Sequence, residues 1–420
     1  MQAPAFSPNE RPLWKDLLHP AVIVGALGYF VDIYDLTLVM AVKKESLAAF
    51  HVVGDPSPLA DPLNWQMFGM LLGGLFFGAL ADRMGRLTTL FGSILLYSLA
   101  NIANGFATSL EIYSACRFVA GIGLAGELGG CIALVSEVLP KERRGYGTAM
   151  VAAVGVFGAV VGGAVAEYVT WQTNYFIGGA LGLCLLFARV SVKESGMYQH
   201  AKVTASESDV SRGNFLALFT ARHRFGRYLR CILIGLPTWY MIGILVSKSE
   251  VVFAKTVGVE GIKANRCVAM FYLGLTFGDL GSGFLSQWLQ SRRRVVAIFL
   301  ALSFACVGIY LYLTTGWSSQ AYYALIFVMG LGMGYWALFV TIAAEQFGTN
   351  LRATVATTVP NVVRGSLFAM SFVFAQLGLK GWSSTSSALT IGLVCFGAAF
   401  LALAQMEETF GKDLDYLEKK

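Results

Sequence analysis

Charge is what this chain has least of. Only 13% of its 420 residues are charged, against about 25% in an average soluble domain, so its surface is not made for water. Histidine is nearly absent. The four present, His19, His51, His200 and His223, fall in tails, loops or at the ends of apolar runs, which argues against a histidine proton relay inside a membrane. The seven cysteines sit in or at the edges of apolar runs, with no metal-ligand spacing and no loop partners for a disulfide framework. They read as small packing residues, and no metal is expected. Met1 to His19 is polar and carries no signal-peptide pattern, so the first apolar run is expected to be retained. No nucleophile–histidine–acid set or phosphate loop occurs in a suitable context, so the chain is not read as an enzyme and no cofactor is expected.

What is abundant is apolar sequence: 56% hydrophobic residues and a mean hydropathy of +0.63. A bilayer core needs about 20 apolar residues per spanning helix. Candidate spans lie near 20–42, 62–80, 88–106, 110–138, 146–168, 172–190, 228–248, 265–287, 294–314, 321–344, 353–377 and 385–405. The fold class is therefore an all-α polytopic membrane protein with twelve transmembrane helices. The net charge of +6 does not point to nucleic acid, because the basic residues flank spans instead of forming a patch. Most Lys and Arg fall on one side once the N-terminus is placed inside, among them Arg83, Arg86, Lys141, Arg143, Arg144, Arg222, Arg224, Arg227 and Arg292 to Arg294. That bias puts both termini in the cytoplasm.

The longest polar interval divides the spans six and six. It predicts an N-terminal six-helix bundle over 1–190, a cytoplasmic linker over 191–227 and a C-terminal six-helix bundle with its tail over 228–420. The halves echo each other. Gly78-x3-Asp82-Arg83-x2-Arg86 follows span two, and Gly283-x3-Gln287 followed by Arg292-Arg293-Arg294 follows span eight, with the acid lost. Repeated halves around a midplane site are a common transporter plan.

Four groups of residues carry candidate chemistry. In Gly78-Ala-Leu-Ala-Asp82-Arg83-Met-Gly85-Arg86, Gly85 allows a tight turn, and Asp82 can face the positive N-terminal end of a neighbouring helix. In span one, Asp32-Ile-Tyr34-Asp35 begins about a dozen residues in from Pro20, roughly 18 Å along a helix and near the midplane. An ionised Asp there costs on the order of 2.5–3.5 kcal/mol, and residues three apart can share a helix face. Span four carries Arg117, the run Gly121-x-Gly123-x-x-Gly126 and Glu127. That run satisfies a dinucleotide fingerprint letter by letter but lies within an apolar helix, where small residues serve close helix packing instead. Spans eight and eleven carry Asp279 and Arg364. Arg364 either holds an anionic substrate group through two parallel hydrogen bonds or is neutralised by Asp279. Tyr34, Trp239, Tyr240, Trp336 and Asn361 lie at similar depth and are candidate substrate contacts.

The segment Gly78 to Arg86 resembles the G-x3-D-R-x-G-R loop signature of the major facilitator superfamily. Arg117-x3-Gly121-x-Gly123-x-x-Gly126-Glu127, followed by Ser136-Glu137 and Arg143-Arg144-Gly145, resembles its sugar-porter-like and organic-anion branches, with Ala125 in place of one glycine. The resemblance implies the major facilitator fold, two pseudo-symmetric six-helix bundles. It also implies a gating role for Gly78, Asp82, Arg83, Gly85, Arg86, Glu137 and Arg144, and proton coupling by Asp35 with Arg117, with Asp32 or Glu127 as a second site. Span five has Ala159 where drug antiporters have proline, and span seven, near Pro237-Thr238-Trp239, lacks the paired glutamines of sugar recognition. The expectation is a secondary active transporter taking up a small organic anion with protons by alternating access. It would be a monomer in a bacterial plasma membrane, with a small-molecule substrate, protons and the lipid bilayer as its partners. The alternatives are sugar or polyol symport, metabolite or drug efflux, and a non-transporting membrane sensor.

Overall fold

The computed structural model describes residues 12–52, 56–84, 86–127, 131, 134–135, 138–140, 143–189, 215–412 and 416–418. Twelve long helices occur among them and no strand. They are α1 (Pro20–Ala41), α2 (Pro62–Met84), α3 (Arg86–Gly105), α4 (Leu110–Leu124), α5 (Arg144–Val165), α6 (Trp171–Arg189), α7 (Arg222–Val246), α8 (Ala264–Trp288), α9 (Arg292–Tyr312), α10 (Ser319–Glu345), α11 (Arg352–Leu379) and α12 (Ser384–Ala404). Nine are long and apolar enough to cross a membrane, and the three that fall short are α3, α4 and α6. Those three carry Asn101, Asn104, Arg117 and Asn174, all fully buried. Local sequence sets the helix starts. His19 accepts from the Ala21 amide ahead of Pro20, and Ser109, Ser291, Ser318 and Ser383 each accept from an amide of the first turn.

Glycine seams hold neighbouring helices backbone to backbone. A Cβ on Gly69 or Gly73 of α2 would stand 2.2 and 2.3 Å from the carbonyls of Phe118 and Ile122 in α4. The same arrangement recurs in the second half. Cβ atoms on Gly274 and Gly278 of α8 would stand 2.0 and 2.3 Å from the carbonyls of Phe327 and Leu331 in α10, and one on Gly330 would stand 1.9 Å from Phe271 O. Lipid offers little hydrophobic drive between helices, so this close approach supplies the van der Waals contact that does.

Two predicted spans are not continuous. Span four was expected as one helix over 110–138, but α4 ends at Leu124 and turns at Ala125–Gly126. Span ten, expected over 321–344, breaks between Gly332 and Trp336. Both breaks follow glycine-spaced runs, Gly121-x-Gly123 and Gly330-x-Gly332-x-Gly334, which serve packing and also lower helix propensity. Helix α7 continues beyond Tyr240 in π-helical turns, Met241–Val246.

Residues near the two described ends, Asp16 and Glu418, lie on one face of the bundle pair, called here the terminal face. There Asp16 pairs with Arg143 at 2.5 Å, Glu418 with Arg227 at 3.1 Å, and Arg292 with Glu345 through two 2.7 Å hydrogen bonds. Gly330→Ala should cost about 1–3 kcal/mol of stability through overpacking and so lower the melting temperature of the purified protein. Gly308→Ala, where a Cβ meets nothing within 4 Å, should leave it unchanged. Equal melting of both variants would refute the seam.

Candidate functional site

Between the two halves lies a closed cavity walled by Tyr29, Ile33 and Leu36 of α1, Val156 of α5, Thr238, Trp239 and Ile242 of α7, Tyr272 and Leu275 of α8, Trp336 of α10 and Arg364 of α11. It offers about 10 Å³ to the centre of a water-sized sphere, room for roughly one water. Apart from Thr238 the walls are aromatic and aliphatic, and Arg364 is the one charged residue among them. Its Nη1 donates to Asn361 Oδ1 at 3.0 Å, and the guanidinium lies 5.6 Å from the Trp336 ring centre. Nε has no hydrogen-bond partner. Across the cavity the Trp336 indole donates to the Tyr29 hydroxyl at 3.2 Å, joining the two halves.

The other residues expected here divide. Trp239 lines the cavity. Tyr240 turns away and donates to the Ala388 carbonyl at 2.8 Å, and Tyr34 turns into the N-terminal bundle and donates to Asn174. Asn361 is not a wall residue. Its Nδ2 donates to Ala125 O and Thr357 O, both at 2.8 Å, and its side chain packs on Gly74, where a Cβ would sit 2.6 Å from its own. It answers the carbonyl freed where α4 turns, and so ties α11 to the other half. Asp279 forms no ion pair with Arg364; its Oδ1 accepts from the Ala337 amide at 2.9 Å. Sequence reasoning missed Tyr29, Thr238 and Tyr272. A signal existed for two of them: Tyr29 lies one turn before Asp32 and Tyr272 two turns before Asp279, on the same helix faces.

A second polar centre lies inside the N-terminal bundle. The Arg117 guanidinium donates from Nη2 to Asn101 Oδ1 at 2.6 Å and from Nε to Asn104 Oδ1 at 3.2 Å, and stands 4.3 Å from the Tyr175 ring centre. Its Nη1 has no hydrogen-bond partner. Arg117 and the Asn101 side chain both act on Asp35, whose carboxylate abuts Gly178 of α6. Asp32 instead acts on Tyr29 at the central cavity. The two aspartates thus connect one helix to both centres. Glu127, which accepts from Cys131 Sγ at 3.2 Å, lies ten residues beyond Arg117, past the turn that ends α4.

Both ends of the cavity are covered. Towards the terminal face, Gly78 packs on Thr354, whose hydroxyl donates to Gly78 O at 3.2 Å. Gly85 and Glu137, and the side chains of Asp82, Arg83, Arg86 and Arg144, lie outside the described residues. On the opposite face two ion pairs join the halves, Lys44 with Glu250 at 2.6 Å and Arg266 with Glu167 at 2.9 Å. The hydrogen bond from Arg266 holds the Glu167 carboxyl below its usual range. That pair therefore persists under mild acid and is lost only as pH falls through the depressed value.

Comparisons with known proteins agree with this architecture. The family model of the Major Facilitator Superfamily matches residues 25–365. The chain is 26% identical over 429 residues to the niacin transporter NiaP of Acinetobacter baylyi, covering 94% of each. It is 23% identical over 408 residues to the sialic acid transporter NanX of Escherichia coli, covering 93% of this chain and 95% of that one. It is also 26% identical to the gentisate transporter of Corynebacterium glutamicum over 80% of this chain and 75% of the other. Among solved structures, the proton:xylose symporter XylE bound to 6-bromo-6-deoxy-D-glucose superposes with a TM-score of 0.73 at 14% identity, covering 94% of this chain and 97% of that one. With two pseudo-symmetric six-helix bundles about a closed central cavity, this chain belongs to the Major Facilitator Superfamily and is a transporter of small organic molecules.

Proposed function

We propose that the protein takes up a small organic anion, a carboxylate, together with protons, across a bacterial inner membrane. The observation that carries the reading is Arg364, a buried guanidinium with a spare donor and the one charged residue in the wall of a mainly aromatic and aliphatic cavity. A guanidinium grips a carboxylate through two parallel hydrogen bonds, and the flat apolar walls suit a ring once the bundles part to enlarge a cavity that here has room for about one water. Niacin and gentisate, named for two of the relatives, are both ring carboxylates. Arrival of the anion neutralises Arg364 at the depth where an isolated charge is most costly.

Proton coupling belongs to Asp35 and Arg117, with Asp32 or Glu127 as a second site. A carboxylate beside a guanidinium stays ionised; once the two separate in a low-dielectric interior, the neutral acid is favoured. Asp32 and Asp35 on one helix give that event a route to the cavity. The bundles 1–190 and 228–420 rock about the site, joined by the linker 191–227. Asp82, Arg83, Arg86, Glu137 and Arg144, with Gly78 and Gly85 at the turn, form the gate on the terminal face, which faces the cytoplasm. The protein works as a monomer.

Arg364→Ala should raise the apparent Kd for benzoate, nicotinate or gentisate about 10- to 100-fold, the scale of a lost charge-assisted hydrogen bond in a buried site. Thermal shift and uptake into proteoliposomes measure it. Unchanged affinity removes Arg364 from the site, and stabilisation by xylose alone moves the substrate class to sugars. Asp35→Asn should abolish accumulation driven by a proton gradient while leaving substrate exchange across the membrane. Uphill uptake at the normal rate in that variant would mean the coupling acid is elsewhere.

A further inference from the structure

The break in α10 opens backbone amides at bilayer depth, where each must find an acceptor within the protein. The residue preceding the Trp336–Glu345 segment, Tyr335, supplies no side-chain cap. The acceptor comes from another helix: Asp279 Oδ1 of α8 takes the Ala337 amide at 2.9 Å. A carboxylate at a helix N-terminus is favoured by the dipole as well as by the hydrogen bond. The cap is also sterically fixed. Gly278, the residue before Asp279, meets the break directly, and a Cβ on Gly334 would stand 2.1 Å from Gly278 C. No side chain separates the two backbones there.

Trp336 is the first residue of the capped segment. Its indole bonds Tyr29 of the other half and lies over the Arg364 guanidinium. The anchored amide is one residue from the ring that makes both contacts, so a shift of the segment is a shift of the cavity wall. We propose that Asp279 is a positioning residue of the binding cavity: by holding the amide end of the Trp336–Glu345 segment, it sets where the Trp336 indole stands against Tyr29 and Arg364. In this role Asp279 is neither a substrate contact nor the counter-ion of Arg364. The substrate arm of its test rests on the carboxylate reading above, and the structural arm does not.

Hydrogen–deuterium exchange followed by mass spectrometry, on intact protein in detergent, compares wild type, Asp279→Ala and Asp279→Asn. The Ala variant should exchange the amides around 336–340 about fivefold faster, the scale of a lost helix cap. The Asn variant keeps a capping oxygen and should exchange near the wild-type rate. With nicotinate as the probe, Asp279→Ala should raise KM several-fold with a smaller change in maximal rate, and Asp279→Asn should restore KM. Unchanged exchange in Asp279→Ala overturns the proposal. So does faster exchange with an unaltered KM, which would make the cap structural only. Loss of uphill uptake in Asp279→Asn with wild-type exchange and KM also overturns it, by making Asp279 a proton site. If wild type carries none of nicotinate, benzoate and gentisate, the carboxylate reading fails, and the exchange comparison still decides whether Asp279 caps the segment, unchanged exchange overturning the proposal on its own. Should Asp279→Ala fail to purify as a single species, Asp279→Leu, similar in width and lacking an acceptor, takes its place.

Discussion

A backbone group opened inside a bilayer must be answered by the protein itself, and two such openings organise this molecule. Helices α4 and α10 both stop short, each after running along a glycine seam with its neighbour. The seams demand residues without side chains, and those same residues weaken the helix they serve. The released groups are then met by two polar side chains: Asn361 on the Ala125 carbonyl and Asp279 on the Ala337 amide. Each of these side chains is adjacent in space to a wall of the central cavity. Helix packing, local unwinding and the shape of the site are thus consequences of one constraint.

The two buried arginines follow a common pattern with different outcomes. Each has an asparagine oxygen as acceptor, an aromatic ring nearby and one donor left without a hydrogen bond. Arg117 is enclosed by α3, α4 and α6 and is the opposite charge to an acid of its own bundle. Arg364 stands in the wall between bundles. The first arrangement suits an internal switch, and the second suits a ligand that comes and goes. The closures at the two ends differ as well. The ion pairs on the opposite face involve Lys44, 77% exposed, and Arg266, 53% exposed, and exposed pairs of this kind contribute about 0–1 kcal/mol each. Such a clamp closes that face while adding little to the barrier for reopening it.

The fold was legible because hydropathy reports span number directly, and the loop from Gly78 to Arg86 names the family. The charged residues of the midplane were legible because burial of charge there is costly enough to need a reason. What a given polar residue touches was not. Asn361 and Asp279 have the depth of substrate contacts, yet each also bonds a backbone group exposed by a helix break. An apolar run such as Gly330 to Trp336 does not announce a break in hydropathy. Tyr34 and Tyr240 show the same limit, since depth places a residue along a helix and only packing decides which way it faces.

The repeat between halves fails at one informative place. Gly74 follows Gly73 of the α2 seam as Asp279 follows Gly278 of the α8 seam. In the second half this position carries the acid that satisfies the break in its own bundle. In the first half it carries a glycine, and the space admits Asn361 from the opposite bundle to satisfy the break in α4. The α10 cap is therefore internal to one bundle and can persist through a rocking motion. The α4 contact crosses the interface and must part when the bundles separate there. A buried carbonyl left without a donor costs about 1–3 kcal/mol, but separation at that end also admits water, which replaces the lost donor. Under the alternating access proposed above, the first break is a contact to be made and broken, and the second stays closed within its own bundle.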